Sequence, residues 1–189
     1  AAAAEEGRLG RVALCSGNHD APVLWQSLAE LADHGALLLD GACAAVGGWL
    51  ISCLPYELRG NAFRDRWRTD HAKAAGRPWL VLCHVGPEGS RLMAGAREEQ
   101  PVRELLAAYP PSVLLCGHIH RAAFQPGGTW AERIGSTWCL NPGAQECSEE
   151  SAVFPPHIVI DTGRGTLSWH HAEQAPAQPQ ELSLDGFRE

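Results

Sequence analysis

Three times in this chain a short apolar run stops abruptly on Asn or His. Residues 12–15 (VALC) pass through Ser16-Gly17 and present Asn18, His19 and Asp20 together. Residues 79–83 (WLVLC) deliver His84 directly, and residues 113–116 (VLLC) deliver Gly117-His118-Ile119-His120. Runs of this length, apolar throughout, read as strands buried on both faces. In open α/β sheets, sites form beyond the carboxyl ends of such strands. Three strands that release Asn and His there supply the N and O donors that a metal centre needs.

The segments between these strands mix helical and hairpin signals. After Asp20, which can serve as N-cap, Pro22 opens a helix whose Val23, Leu24, Leu28 and Leu31 share one side, and Gly35 ends it. Residues 36–39, 42–46 and 49–54 are short apolar runs separated by Asp40-Gly41 and Gly47-Gly48, the pattern of a small strand meander. Residues 55–70 form a polar connection with Trp67 and four arginines, Arg59, Arg64, Arg66 and Arg68. The arginines fit a solvated helix face better than a phosphate clamp, although both readings stand. Residues 70–76 finish a helix. Val102, Leu105, Leu106 and Tyr109 mark another, stopped by Pro110-Pro111. Residues 137–140 form a strand running into Asn141-Pro142-Gly143, and residues 157–161 and 167–169 form a closing hairpin. From residue 172 the composition turns to Gln, Pro and Glu, which predicts a loosely held tail over 172–189. The strand–helix units with interleaved hairpins predict a layered α/β sandwich with mixed sheets over residues 1–171.

Length and charge narrow the functional classes. A chain of 189 residues fits one domain with a sizeable core. A net charge of −7 argues against broad capture of nucleic acid, which needs a basic face. It leaves room for a small phosphorylated substrate, because bound cations reverse the local sign. No stretch approaches the roughly 18 apolar residues of a membrane span. The seven cysteines include no C-x-x-C pair. Cys15, Cys83 and Cys116 close the three strands, where small thiols pack well. Reduced thiols point to a cytoplasmic location.

The set GNHD, a strand ending in His, and GHIH, in that order, resembles the calcineurin-like metallophosphoesterase superfamily. CLNPG at 139–143 and PHIVID at 156–161 look like its closing strands. The resemblance implies a four-layer αββα sandwich that holds two divalent ions, Mn, Fe or Zn, at the strand ends. It implies that Asn18, His84 and His118 bind the second ion and that His120 reaches the first. His19 would contact the phosphate and protonate the leaving group, with Asp20 orienting it. The implied reaction is hydrolysis of a phosphate mono- or diester by a metal-bridged hydroxide, which two ions about 4 Å apart can generate.

One departure shapes what is expected. The family's opening Asp-x-His and the Gly-Asp that supplies a bridging carboxylate have no counterpart before Gly17. The sandwich is therefore read as lacking its N-terminal strand or strands, with the second metal position better retained than the first. A phosphoesterase whose parent chain carries those motifs is the leading expectation. A catalytically inactive scaffold or binding protein of the same fold is the alternative, and a nuclease fits the acidic balance less well. Candidate specificity segments are residues 56–67, 86–97 and 127–133.

Overall fold

The computed structural model describes residues 12–20, 27–28, 37–94, 96, 100–144, 155–171 and 180–183. The chain enters on β1 (Val12–Ala13), which pairs in parallel with β2 (Leu37–Leu38). The helix expected between them lies outside the described residues, apart from Ser27 and Leu28, which are helical.

A six-stranded sheet follows, built from β3 (Cys43–Val46), β4 (Trp49–Leu54), β5 (Trp79–Cys83), β6 (Val113–Leu115), β7 (Ala131–Ile134) and β8 (Thr137–Leu140). Its order is β3-β4-β5-β6-β8-β7. The four central strands run parallel, and antiparallel β3 and β7 close the edges. The hairpin β3–β4 turns on Gly47 and Gly48, whose φ values of 57° and 85° are what a two-residue turn with both residues left-handed requires. The expected meander is corrected at its first strand: β2 leaves the hairpin and joins β1 instead. Asp40-Gly41 is a turn between the two sheets rather than a hairpin loop.

Alternation along the central strands sends side chains to two different cores. Trp79, Val81 and Cys83 of β5, Leu114 of β6 and Cys139 of β8 face the helices. Those helices are α1 (Gly60–Ala74) and α2 (Val102–Ala108). Phe63, Trp67, Asp70 and Ala74 recur at helical spacing on the buried side of α1. Trp67, fully buried, donates from Nε1 to Tyr109 O at 3.0 Å, so the two helices are tied through a core indole. Residues 55–70 are thus mostly helix, and α1 starts ten residues before the expected helical stretch.

The opposite face of the sheet carries Leu80, Val113, Leu115, Trp138 and Leu140. They pack against Ile158, Ile160, Leu167 and Trp169 of a second sheet, β9 (His157–Asp161), β10 (Thr166–His170) and β11 (Gln180–Ser183), in the order β11-β10-β9. β11 lies within the stretch 172–189 that composition marks as a tail. Residues 180–183 of the supposed tail pair with β10 in the register Thr166↔Ser183 to Trp169↔Gln180. Composition hides this strand because an exposed edge strand needs few apolar residues, and residues 181–183 are all exposed. Helices, a mixed sheet and a second sheet form the expected layered α/β sandwich.

The register sets the position of the site. Leu54 lies opposite Cys83, Leu82 opposite Leu115, and Leu115 opposite Leu140. The residues that follow, Tyr56, His84, His118 and Asn141, therefore emerge along one rim of the sheet.

Candidate metal centre

β1 reaches this rim through the loop 14–20. Leu14 N continues the parallel pairing by donating to Leu38 O at 2.8 Å. Buried Ser16 then anchors the loop twice: its N–H donates to Asp40 Oδ1 at 2.8 Å, and its Oγ accepts from Tyr56 N at 3.0 Å. Asp20 Oδ2 accepts from Gly17 N at 2.7 Å, and Asp20 N donates to Gly17 O at 3.3 Å. These two bonds close a tight turn with Asn18 and His19 exposed at its tip.

Gly17 is where this loop meets β5. A Cβ there would stand 2.7 Å from His84 Cε1 and 2.9 Å from His84 Nδ1. Such separations are within van der Waals overlap, so only glycine lets the imidazole lie against the backbone. Asn18 Oδ1 then stands 2.8 Å from His84 Nε2.

The third arm comes from β6. Gly117 N donates to His84 O at 3.0 Å and locks the two strand ends together. His118 has φ 64°, and across it Ile119 N donates to Gly117 O at 2.7 Å. A bond between residues two apart over a positive-φ centre is the strained form of γ-turn. Holding a non-glycine residue there costs on the order of 1–3 kcal/mol. The turn brings His118 Nδ1 to 3.1 Å from His84 Nε2.

Asn18, His84 and His118 thus converge on one point, with the His84 nitrogen between the other two donors. One proton cannot serve both contacts in good geometry, whereas a cation can face all three lone pairs. Donors about 2.1 Å from one ion, at right angles to each other, lie about 3 Å apart, so the observed spacings fit a shared divalent cation. Among the described residues no group of three or more His, Cys, Asp or Glu is arranged to hold a metal. The triad draws instead on two histidines and an amide oxygen. His120 is exposed; its backbone oxygen accepts from Ala144 N at 2.9 Å, and among the described residues its ring has no hydrogen bond to the triad. The donors of Asn18, His84 and His118 therefore fit one cation position.

His19 stands beside Asn18 at the turn tip. The Asp20 carboxylate holds the Gly17 amide in the turn that carries His19, a backbone role beside the expected orientation of that ring.

Tyr56 forms the neighbouring wall. Its ring meets His84 edge-on, with centroids 5.1 Å apart, and lies 6.5 Å from His118. The Arg59 guanidinium sits 4.4 Å over the Tyr56 ring and donates to Tyr56 O. The other arginines of this stretch serve the fold. Arg64 pairs with Glu104, Arg66 with buried Asp70 at 2.8 Å, and Arg68 with Asp65. The solvated-face reading holds for Arg64 and Arg68; Arg66 reaches the fully buried Asp70 and Arg59 stands over the Tyr56 ring, so both depart from it. The segment 127–133 is tied to the segment 86–97: Gly127 O and Gly128 O accept from Arg91, and Glu132 accepts from Arg91 N.

Asn141 is a site residue that sequence reasoning misses. It is 1 % exposed and follows β8 directly. Its Nδ2 lies 3.1 Å from Gly117 O, 3.1 Å from Ile119 O and 3.3 Å from Leu92 O, and its Oδ1 accepts from Gly143 N at 2.9 Å. The last bond is an Asx turn, which the Asn-Pro-Gly signature foretells. The reach of the amide into the GHIH loop is a tertiary fact with no local signal.

Burial keeps the strand-end thiols out of this chemistry. It pushes Cys83 up to about 12, and Cys15 and Cys116 well above the ordinary thiol range. They stay protonated and inert at neutral pH. The described cysteines are all free.

The profile described as calcineurin-like phosphoesterase matches residues 2–122 of this chain. That segment contains Asn18, His19, Asp20, His84, His118 and His120. Among solved structures, the chain is similar to the crystal structure of TT1561 of Thermus thermophilus, at 17% identity and a TM-score of 0.54. The likeness covers 91% of this chain and 72% of that one, and at this identity it bears on the fold alone. A comparison with curated proteins gave no match. With the profile spanning most of the chain, and with the layered sandwich carrying its motifs on one rim, the chain belongs to the calcineurin-like phosphoesterase family.

Proposed function

We propose that this chain carries the metal-ligating rim of a phosphoesterase that hydrolyses a phosphate mono- or diester, with Asn18, His84 and His118 holding one divalent cation. The observation that carries this reading is the convergence of Asn18 Oδ1, His84 Nε2 and His118 Nδ1 at 2.8 and 3.1 Å. Divalent ions bound there would activate water and neutralise phosphate oxygens. Mn, Fe and Zn all suit such an N/O donor set.

The chain's own residues supply the rest. A neutral amide in place of a carboxylate leaves more positive charge at the position to be felt by an anionic substrate. His19 offers an exposed imidazole to the departing oxygen and protonates it as the P–O bond breaks. Asp20 fixes the turn that carries His19. His120 contributes to a second ion whose remaining ligands are not assembled among the described residues. Tyr56, with Arg59 over its ring, gives the substrate an aromatic and cationic wall. Net charge −7 favours a small phosphorylated molecule over nucleic acid. Free cysteines support a reducing, cytoplasmic setting, and no described helix is long and apolar enough to cross a membrane.

The test is hydrolysis of an aryl phosphomonoester and an aryl phosphodiester by the protein that carries this chain, with and without added Mn²⁺. Mn²⁺-dependent turnover that His118→Ala abolishes is the expected result. Turnover unchanged by His118→Ala would refute the reading. Metal binding with no turnover of any phosphoester would favour the scaffold alternative.

A further inference from the structure

Asn141 lies beyond the segment that the family profile matches, yet its side chain grips the loop that carries His118. Two of the three carbonyls facing its Nδ2, those of Gly117 and Ile119, flank His118 on either side. Those carbonyls belong to the γ-turn in which His118 adopts φ 64°. The same asparagine turns back on its own strand end, because Oδ1 holds Gly143 N. Gly143 in turn has φ 71°, and a Cβ there would stand 2.7 Å from His120 O. Ala144 N, next along, donates to that same oxygen. The turn 141–144 therefore cradles the loop 117–120 from end to end.

Only an asparagine fits the place. A side-chain amide brings two N–H donors toward three carbonyls and an acceptor for the Gly143 amide. An aspartate of the same shape would set oxygen against oxygen and leave those carbonyls without a donor.

We propose that Asn141 is a positioning residue: it holds the His118 turn against its strain, directs His118 Nδ1 at His84 Nε2, and thereby sets the affinity of the Asn18–His84–His118 group for a divalent cation. The inference rests on the metal reading of that triad. Partners one step removed from metal ligands commonly change affinity by roughly 10–100-fold when altered.

The experiment measures Mn²⁺ binding directly, by calorimetry, on the protein that carries this chain. It compares the unaltered protein, Asn141→Asp, and Leu167→Ala, a fully buried core residue of the second sheet outside the proposed site. The expected result is a Kd weakened roughly 10–100-fold in Asn141→Asp. At saturating Mn²⁺, kcat should recover in part while KM for an aryl phosphate stays unchanged. Leu167→Ala should lower the melting temperature and leave the Kd as it was. If Asn141→Asp does not fold, Asn141→Ser, which keeps one donor, should show the same loss at smaller size. An unchanged Kd in the folded Asn141 variant, or an equal loss in Leu167→Ala, would overturn the inference while the metal reading survives. An unaltered protein that binds no Mn²⁺ would overturn both.

Discussion

The His84 imidazole occupies the space that a side chain at Gly17 would need, and this contact couples the first strand end to the second. A methyl group there would meet the ring at 2.7 Å and push it away from Asn18 and His118. Gly17→Ala is therefore expected to lower kcat/KM by on the order of 100-fold, the scale of a 1 Å misplacement. Its melting temperature should change little, because Gly17 lies in an open loop and needs no left-handed backbone. A variant with full activity would show that His84 has no fixed place in the site. Ser16 and Asp20 act in the same local way, each using its side chain to hold backbone amides around the loop. Of these contacts, the grouping of Asn18, His19 and Asp20 is legible in the sequence. The glycine's partner is not, because His84 stands 67 residues away in the chain.

Cysteines at or near the ends of the central strands are buried: Cys53, Cys83 and Cys139. Burial raises Cys83, Cys139 and Cys53 to about 12 from an ordinary value of 9.0. In the folded protein these thiols remain neutral above pH 9, whereas in the unfolded chain they ionise there. The stability they lend is complete below pH 9 and is lost as pH rises towards about 12. The loss amounts to at most about 1.4 kcal/mol per thiol for each pH unit. Urea midpoints measured from pH 8 to 11 should fall, and fall less steeply in Cys83→Ala; a slope unaffected by that substitution would contradict the burial argument. The same strands are the most readable elements. Continuous apolar runs such as WLVLC leave no choice of face, so their strand character follows from pattern alone. α1 reads short in the sequence because its exposed face is so polar that the period of Phe63, Trp67 and Ala74 stands out only against the sheet it packs on. The partner of β2 is not legible, because a two-residue strand contains no information about its neighbour.

Across the molecule, one architectural rule links fold and chemistry. Parallel central strands in register bring their strand-to-loop junctions to one rim, which the loop after β1 joins from the separate two-stranded sheet. β1 brings Asn18 and His19, β4 brings Tyr56, β5 brings His84, β6 brings His118 and β8 brings Asn141. The polar pieces at the ends of apolar runs are visible in the sequence, and three of the four proposed metal ligands meet in the fold. Asn141, proposed to hold the His118 turn, is invisible as a site residue because its reach arises from packing between distant segments; Tyr56 lies in a segment marked as a specificity candidate, but its contact with the His84 ring has no local signal. The pairing of residues 180–183 with β10 is hidden for the same reason. His84 is the hub, since its Nε2 faces both Asn18 and His118. Calorimetric titration of Mn²⁺ into the protein that carries this chain, before and after His84→Ala, is thus the most direct test of the metal centre. We expect binding by the unaltered protein and a loss of at least about tenfold in affinity on removing the imidazole. Equal affinity in the two proteins would mean that the cation is held elsewhere, and the proposed centre would fall.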